Sequence, residues 1–453
     1  MIDLMEITIT QLSELYQNHD ISVKEVVQAY LSRIEKFDRG EDGLNSILEI
    51  NPEAITIAEY LDEHQDEYHS NLYGVPIILK DNINTADQMH TSAGSLSLAT
   101  SIAAEDADLV KTLRKSGAVI LGKANMTEFA NYMTMGMPPG YSSRGGYVHS
   151  PYQRDGDPSG SSTGSAVAVT ANLCTASIGS DTSGSIVSPS IKNGIVGFRP
   201  SIGSFSQKGL LPISFSLDMA GPMTRTVADS IIIFSDLMGK SIPIDEVSSL
   251  SGMMIGINEM ELKDISAEEM KKAENIFDKL KQAGAQITSV QLPVRAKANL
   301  KTIQKYEFKY AINKYLSELP KNSDRKTLKS IIEFNNLHAA ETLLFGQSLL
   351  TDAQENTSGL LTEADYIRCC KDRNMVKDQL QNILSNVDIY VMLKENLVLQ
   401  YAGLPVITLP CGLHNDGMPY GIFLTARTDE ILLKQALQVE QVIGSRVGPK
   451  GYS

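Results

Sequence analysis

The sequence predicts an α/β protein in which helices cover a largely buried sheet, and two observations carry that expectation. Short apolar runs, Val75-Pro76-Ile77-Ile78-Leu79 and Gly117-Ala118-Val119-Ile120-Leu121-Gly122, have strand length and no polar interruption, as strands buried on both faces do. A helical stretch, 106–116, lies between them, and strand–helix–strand rhythm belongs to layered α/β folds. Ahead of these, residues 8–36 read as two amphipathic helices. Ser22-Val23-Lys24-Glu25 has the pattern of a capping box, and Val23, Val26, Val27, Tyr30, Leu31 and Ile34 recur at helical spacing. A third, more acidic helix is expected over 53–68, with Asp62, Glu63, Asp66 and Glu67 as a solvated face. Further on, strands are expected at Met253–Asn258, Asp388–Leu393 and Val406–Leu409, a charged helical region over 265–385, and a closing helix at 429–443. With no internal repeat and no polar linker, the chain divides only descriptively. Residues 1–70 are N-terminal helices, 71–240 a catalytic core, 241–393 a variable helical region and 394–453 a closing strand and helix of one large domain.

Composition excludes several classes. The 453 residues are 42% hydrophobic and 21% charged, which is globular and far from a disordered profile. A formal net charge of −14 repels phosphate backbones, so nucleic acid is not an expected partner. Cys174, Cys369, Cys370 and Cys411 make neither a disulfide framework nor the paired spacing of a zinc site; a reducing cytoplasm fits them best. Met1-Ile2-Asp3-Leu4-Met5-Glu6 has no basic start of a signal peptide, and no 18-residue apolar run suggests a membrane span.

From Gly140 to Pro222 the chain is rich in Gly and Ser, with two concentrated blocks. One is Asp157-Pro158-Ser159-Gly160-Ser161-Ser162-Thr163-Gly164-Ser165 and the other Gly179-Ser180-Asp181-Thr182-Ser183-Gly184-Ser185-Ile186-Val187-Ser188-Pro189. Such segments are often flexible linkers, but these are joined by a compact apolar stretch over 166–177, a small-residue helix running into a short strand. Small residues let backbones approach closely and leave N–H groups facing a shared cavity. Gly160-Ser161-Ser162-Thr163-Gly164 also fits the nucleophile elbow of α/β-hydrolases with Ser162 at its centre, a motif that requires a strand immediately before it and a downstream His. Pro151, Gly156 and Pro158 make the preceding stretch a loop, and only His338 and His414 follow.

Taken together with Gly74–Asn82, Thr91-Ser92-Ala93-Gly94-Ser95, Gly117–Asn125 and Asn193-Gly194-Ile195-Val196-Gly197-Phe198-Arg199-Pro200, the two blocks resemble the amidase-signature family in order and spacing over about residues 10–235. The resemblance implies a central mixed sheet covered by helices on both faces. It also implies a Ser-Ser-Lys triad with the nucleophile at Ser185, a bridging serine at Ser161, 24 residues earlier, and a lysine at Lys80. The backbone N–H groups of Thr182, Ser183, Gly184 and Ser185 are the expected oxyanion hole, and no metal or organic cofactor is implied. Ordinary serine needs a base within reach. Lys80 serves only as a neutral amine, and desolvation at the end of an apolar strand moves its pKa in that direction. Asp181 is expected to orient the Gly/Ser loop, Ser162 to support the site, and Asn82 and Ser159 to stand behind it.

Within the family, Ser143-Arg144-Gly145-Gly146, Ser185-Ile186-Val187 and Gly209–Ser216 look most like the bacterial peptide amidases, which remove the C-terminal amide of peptides. The expected partner is accordingly a small-molecule or peptide amide, with oligomeric state left open. The sequence departs from the pattern after Leu393, where Lys394-Glu395-Asn396 leads almost directly to Tyr401-Ala402-Gly403-Leu404-Pro405. Family members carry a longer Pro/Gly-rich passage there, so an opened or altered pocket is expected. Two rival functions follow: a non-catalytic binding protein on the same fold, or an esterase using Ser162.

Overall fold

The computed structural model describes residues 4–244, 249–263, 265–293, 296–444 and 446–452; Met1–Asp3 of the N-terminal stretch discussed above lie outside them. The described chain contains the strands β1 Ile47–Ile50, β2 Pro76–Lys80, β3 Val119–Ala124, β4 Tyr141–Ser142, β5 Gly146–Tyr147, β6 Ala176–Asp181, β7 Val196–Arg199, β8 Met219–Thr224, β9 Met254–Ile257, β10 Gln286–Ser289, β11 Ile389–Met392, β12 Val406–Leu413 and β13 Pro419–Thr425. Eleven of them form one sheet in the order β1-β3-β2-β6-β8-β7-β12-β13-β11-β9-β10, while β4 and β5 pair separately. The sheet is mixed. β2 runs parallel to β3 and β6, β11 and β10 run parallel to β9, and the remaining pairs are antiparallel. Helices flank the sheet and make a single large domain. The two apolar runs that predicted α/β layering are β2 and β3, and every residue of both is buried.

Local sequence accounts for the helices. Ser22 accepts from the Glu25 N–H and Glu25 reaches back to the Ser22 N–H, so the capping box forms at the start of Val23–Phe37. Its Val23, Val26, Val27, Tyr30 and Ile34 stripe is buried. Ser22→Ala is expected to cost ~1 kcal/mol, read as a lower denaturation midpoint at unchanged slope. One expectation needs correction here. Asp62 is not simply a solvated charge, because its carboxylate accepts the N–H groups of Val23 (2.7 Å) and Lys24 (3.0 Å) and so caps the neighbouring helix. The region 265–385 is helical as predicted except for β10. That mostly polar strand with two exposed residues has no apolar alternation to betray it and is held by parallel pairing to β9 at the sheet's end, with only Ile287 reaching the apolar cluster beneath.

The small-residue helix spans Thr163–Thr170 and is buried along its whole length. Gly164 shows why its residues are small: a Cβ there would come within 2.2 Å of the Ser46 carbonyl oxygen. A further apolar cluster joins Met126, Phe129 and Met133 to Phe308, Ile312 and Leu316 of the helix Ala296–Glu318, fixing that helix over the β2 and β3 loops.

Candidate active site

β6 and β7 both run antiparallel to β8, which lies between them. They are therefore parallel to one another, and β2 is parallel to β6. The residues that end these three strands are Lys80, Asp181 and Arg199, so one edge of the sheet collects an amine, a guanidinium and a carboxylate. Ligand sites in α/β sheets form at this carboxyl edge of parallel strands.

All three side chains are fully buried. Lys80 Nζ donates to Ser161 Oγ at 2.7 Å and to the Ser180 carbonyl at 3.1 Å. Burial lowers its pKa to about 7, against the opposing pull of Asp181 and Asp218. Asp181 accepts the N–H groups of Gly184 and Ile186, each at 2.8 Å, and meets Arg199 Nε at 3.3 Å. It thereby clamps the loop that carries Ser185 on both sides. Removing one partner of a buried ion pair leaves an uncompensated charge, so Arg199→Met is expected to destabilise by about 3–5 kcal/mol, read by equilibrium unfolding. An unchanged midpoint would show that Asp181 holds the loop without it.

The two Gly/Ser blocks are in direct backbone contact, since the Ser162 N–H donates to the Ser185 carbonyl at 3.2 Å. Ser161 is fully buried and Ser185 is 8% exposed, the more accessible of the two. The structure therefore brings Lys80 and Ser161 into hydrogen-bond contact and sets Ser185 on the adjoining loop. Ser185 Oγ has no hydrogen-bond partner among the described residues. The N–H groups of Thr182, Ser183 and Ser185 likewise have no acceptor there. Gly184 is a correction to the expected set of free donors: its N–H is committed to Asp181.

The supporting residues sit behind this front. Asn82 Nδ2 donates to Ser180 Oγ at 3.0 Å, steadying the residue whose carbonyl touches Lys80. Ser162 Oγ donates to the Ser180 carbonyl at 3.1 Å and accepts from its N–H at 3.2 Å. No strand precedes Ser162, as residues 150–159 are irregular, and neither His338 nor His414 bonds to it. The nucleophile-elbow geometry is absent. Ser159, at φ +57°, accepts from Thr163 Oγ1 and shapes the turn into the buried helix. Thr182 Oγ1 donates to Asp218 at 2.6 Å, and Ser183 Oγ accepts from Gln304 Nε2 at 3.3 Å.

Matching by family and by structure points one way. Residues 25–431 match the family described as Amidase. The chain belongs to the amidase signature family. It is a hydrolase of amide bonds, and the mixed sheet of eleven strands flanked by helices is that family's fold. A probable amidase of Arabidopsis thaliana is 34% identical over 99% of this chain and 92% of its own length. The native peptide amidase of Stenotrophomonas maltophilia is 34% identical with a TM-score of 0.91, covering 98% of both chains. A glutamyl-tRNA(Gln) amidotransferase subunit of Staphylococcus epidermidis is 30% identical over 96% of each chain.

Three residues went unnoticed in the sequence as parts of this amidase site. Arg199 had a signal, because an arginine ending an apolar strand must find a buried carboxylate, yet its partner lies 18 residues away across β8. Asp218 had none. Glu395, in the segment after β11, lies against Gly184: a Cβ on that glycine would fall 1.7 Å from Glu395 Oε1. The connection thus sets a carboxyl against the loop that carries Ser185. Burial and the charge of Asp181 raise the Glu395 pKa to about 8.

Proposed function

We propose that this amidase cleaves a carboxamide to carboxylate and ammonia through an acyl-enzyme on Ser185. Neutral Lys80 takes the proton of Ser161, Ser161 takes that of Ser185, and the Ser185 oxygen attacks the carbonyl carbon. The oxyanion forms within reach of the N–H groups of Thr182, Ser183 and Ser185, fixed donors whose worth is greatest when aimed at developing charge. As the C–N bond breaks, Ser161 returns a proton to the departing nitrogen and recovers one from Lys80. Water then enters by the reverse route, ending in free acid and the resting serine. The observation that carries this proposal is the 2.7 Å contact between Lys80 and Ser161 in a fully buried setting that holds the amine near neutrality.

The relatives support a reading of the substrate class. Its 34% identity and 0.91 TM-score with a peptide amidase favour the C-terminal amide of a peptide as the bond cleaved. The net charge of −14 argues against an RNA partner despite the likeness to an amidotransferase component. Four free cysteines fit a reducing cytoplasm, and among the described residues no helix is long and apolar enough to cross a membrane. Ammonia release from C-terminally amidated peptides, compared with simple aliphatic and aryl amides, is the test. Turnover of small amides alone would overturn the peptide assignment and leave amide hydrolysis standing.

A further inference from the structure

The loop carrying Ser185 has a neighbour that the reaction above does not use. Glu395 is partly exposed, and its carboxyl touches the loop at residues before and after Ser185. Before it, the carboxyl fills the space beside Gly184, where a Cβ would lie 1.7 Å from Oε1, 2.6 Å from Cδ and 2.9 Å from Oε2. After it, Ser188 Oγ donates to Oε2 at 2.8 Å. Gln400 Nε2 donates to Oε1 at 3.3 Å, so both oxygens are steered and the group is held in place. The backbone at Gly184 cooperates, with φ at +101° and no side chain, and an alanine there would be both strained and in collision. A charged head group is costly to bring into such a place without a task or a full set of partners, and only these two hydrogen bonds meet it among the described residues.

We infer that Glu395 selects substrates by charge, favouring amides with a cationic or hydrogen-bond-donating group beside the scissile carbonyl and turning away those with a carboxylate there. The inference rests on Ser185 being the nucleophile. A substrate group entering beside Ser185 approaches a loop whose preceding residue, Gly184, has this held acceptor against it. An ammonium or an N–H takes up the acceptor capacity that Ser188 and Gln400 leave open, and an ammonium also favours the ionised form of the carboxyl. Once the Glu395 carboxyl is ionised, a substrate carboxylate faces like charge there. Specificity by built-in repulsion of the wrong partner is a general device.

The test uses two phosphonofluoridate probes of equal size, one bearing an ammonium and one a carboxylate near the phosphorus. Ser185 Oγ forms the P–O bond and fluoride leaves, so labelling needs the nucleophile but no amide turnover. Labelling is run above pH 8, where the Glu395 carboxyl is ionised. Rates are followed by intact-protein mass spectrometry with the site mapped by peptide analysis. The wild-type protein is expected to prefer the cationic probe, and Glu395→Gln to shrink that preference by about tenfold or more, as expected for losing a like-charge contact at close range. Glu395→Asp, which keeps the charge, is expected to retain the preference, and melting curves show whether each variant is folded. An equal preference in wild type and Glu395→Gln overturns the inference, while labelling that disappears in Ser185→Ala leaves the reaction standing. Failure to label Ser185 in any folded form overturns both.

Discussion

Ser185→Ala is expected to lower kcat by about 10⁴-fold or more, in line with removal of the attacking group from serine hydrolases in general. The substitution deletes only a hydroxyl that has no hydrogen-bond partner among the described residues. The backbone bond from Ser162 to the residue 185 carbonyl survives it, and stability is expected to stay within about 0.5 kcal/mol. Loss of activity without loss of fold therefore separates chemistry from structure at this position. Ser162→Ala makes the contrast. It removes a buried hydroxyl that both donates to and accepts from Ser180, so it is expected to cost about 1–3 kcal/mol of stability while leaving labelling of Ser185 by a fluorophosphonate intact. Label found on Ser162 in the wild-type protein would overturn the assignment and favour the esterase alternative.

Lys80→Met is expected to reduce kcat/KM by about 10³-fold or more, because it takes away the proposed proton acceptor behind Ser161 while filling nearly the same buried volume. The pH dependence identifies the amine as the agent. Desolvation lowers its pKa to about 7, and the base works only when unprotonated. The wild-type kcat/KM should therefore rise with pH and level off above an apparent pKa near 7, an acid limb that Lys80→Met should lack. The same group leaves a mark on stability. Between pH 7 and the ordinary lysine value of 10.5, the unfolded chain binds more protons at this lysine than the folded one, so its contribution to stability rises with pH across that window. Below pH 7 the folded protein must carry the buried charge and the handicap is constant. Lys80→Met should flatten this component, leaving a variant that is relatively more stable at neutral pH than at pH 10 by comparison with wild type. A wild-type pH profile with no limb near 7 would remove Lys80 from the role of base.

Legibility in the sequence followed the range of the interaction. Helix Val23–Phe37 could be read because its capping box and apolar stripe lie close together in the chain. β2 and β3 were readable because burial on both faces demands unbroken apolar runs. β10 was missed because an edge strand of mostly polar residues owes its form to a partner and not to its own pattern. Asp62 looked like one of a cluster of solvated acids because the helix end it caps is 39 residues earlier in the chain.

At the site the division is sharper. The sequence by itself determined which chemistry was available: Lys80 closing an apolar run, and two Gly/Ser blocks whose small residues permit close backbone approach. These are local matters of composition and spacing. Tertiary structure alone decided what those groups face. The placement of β8 between β6 and β7 sets Asp181 beside Arg199, and that pair, by drawing the Gly184 N–H to itself, chooses which backbone donors remain free. The return of the chain after β11 brings Glu395 onto Gly184, 211 residues away in sequence. No local rule encodes such meetings, because they are set by strand order and loop length, and a different loop length changes what a pocket touches without altering one residue of the motif beside it.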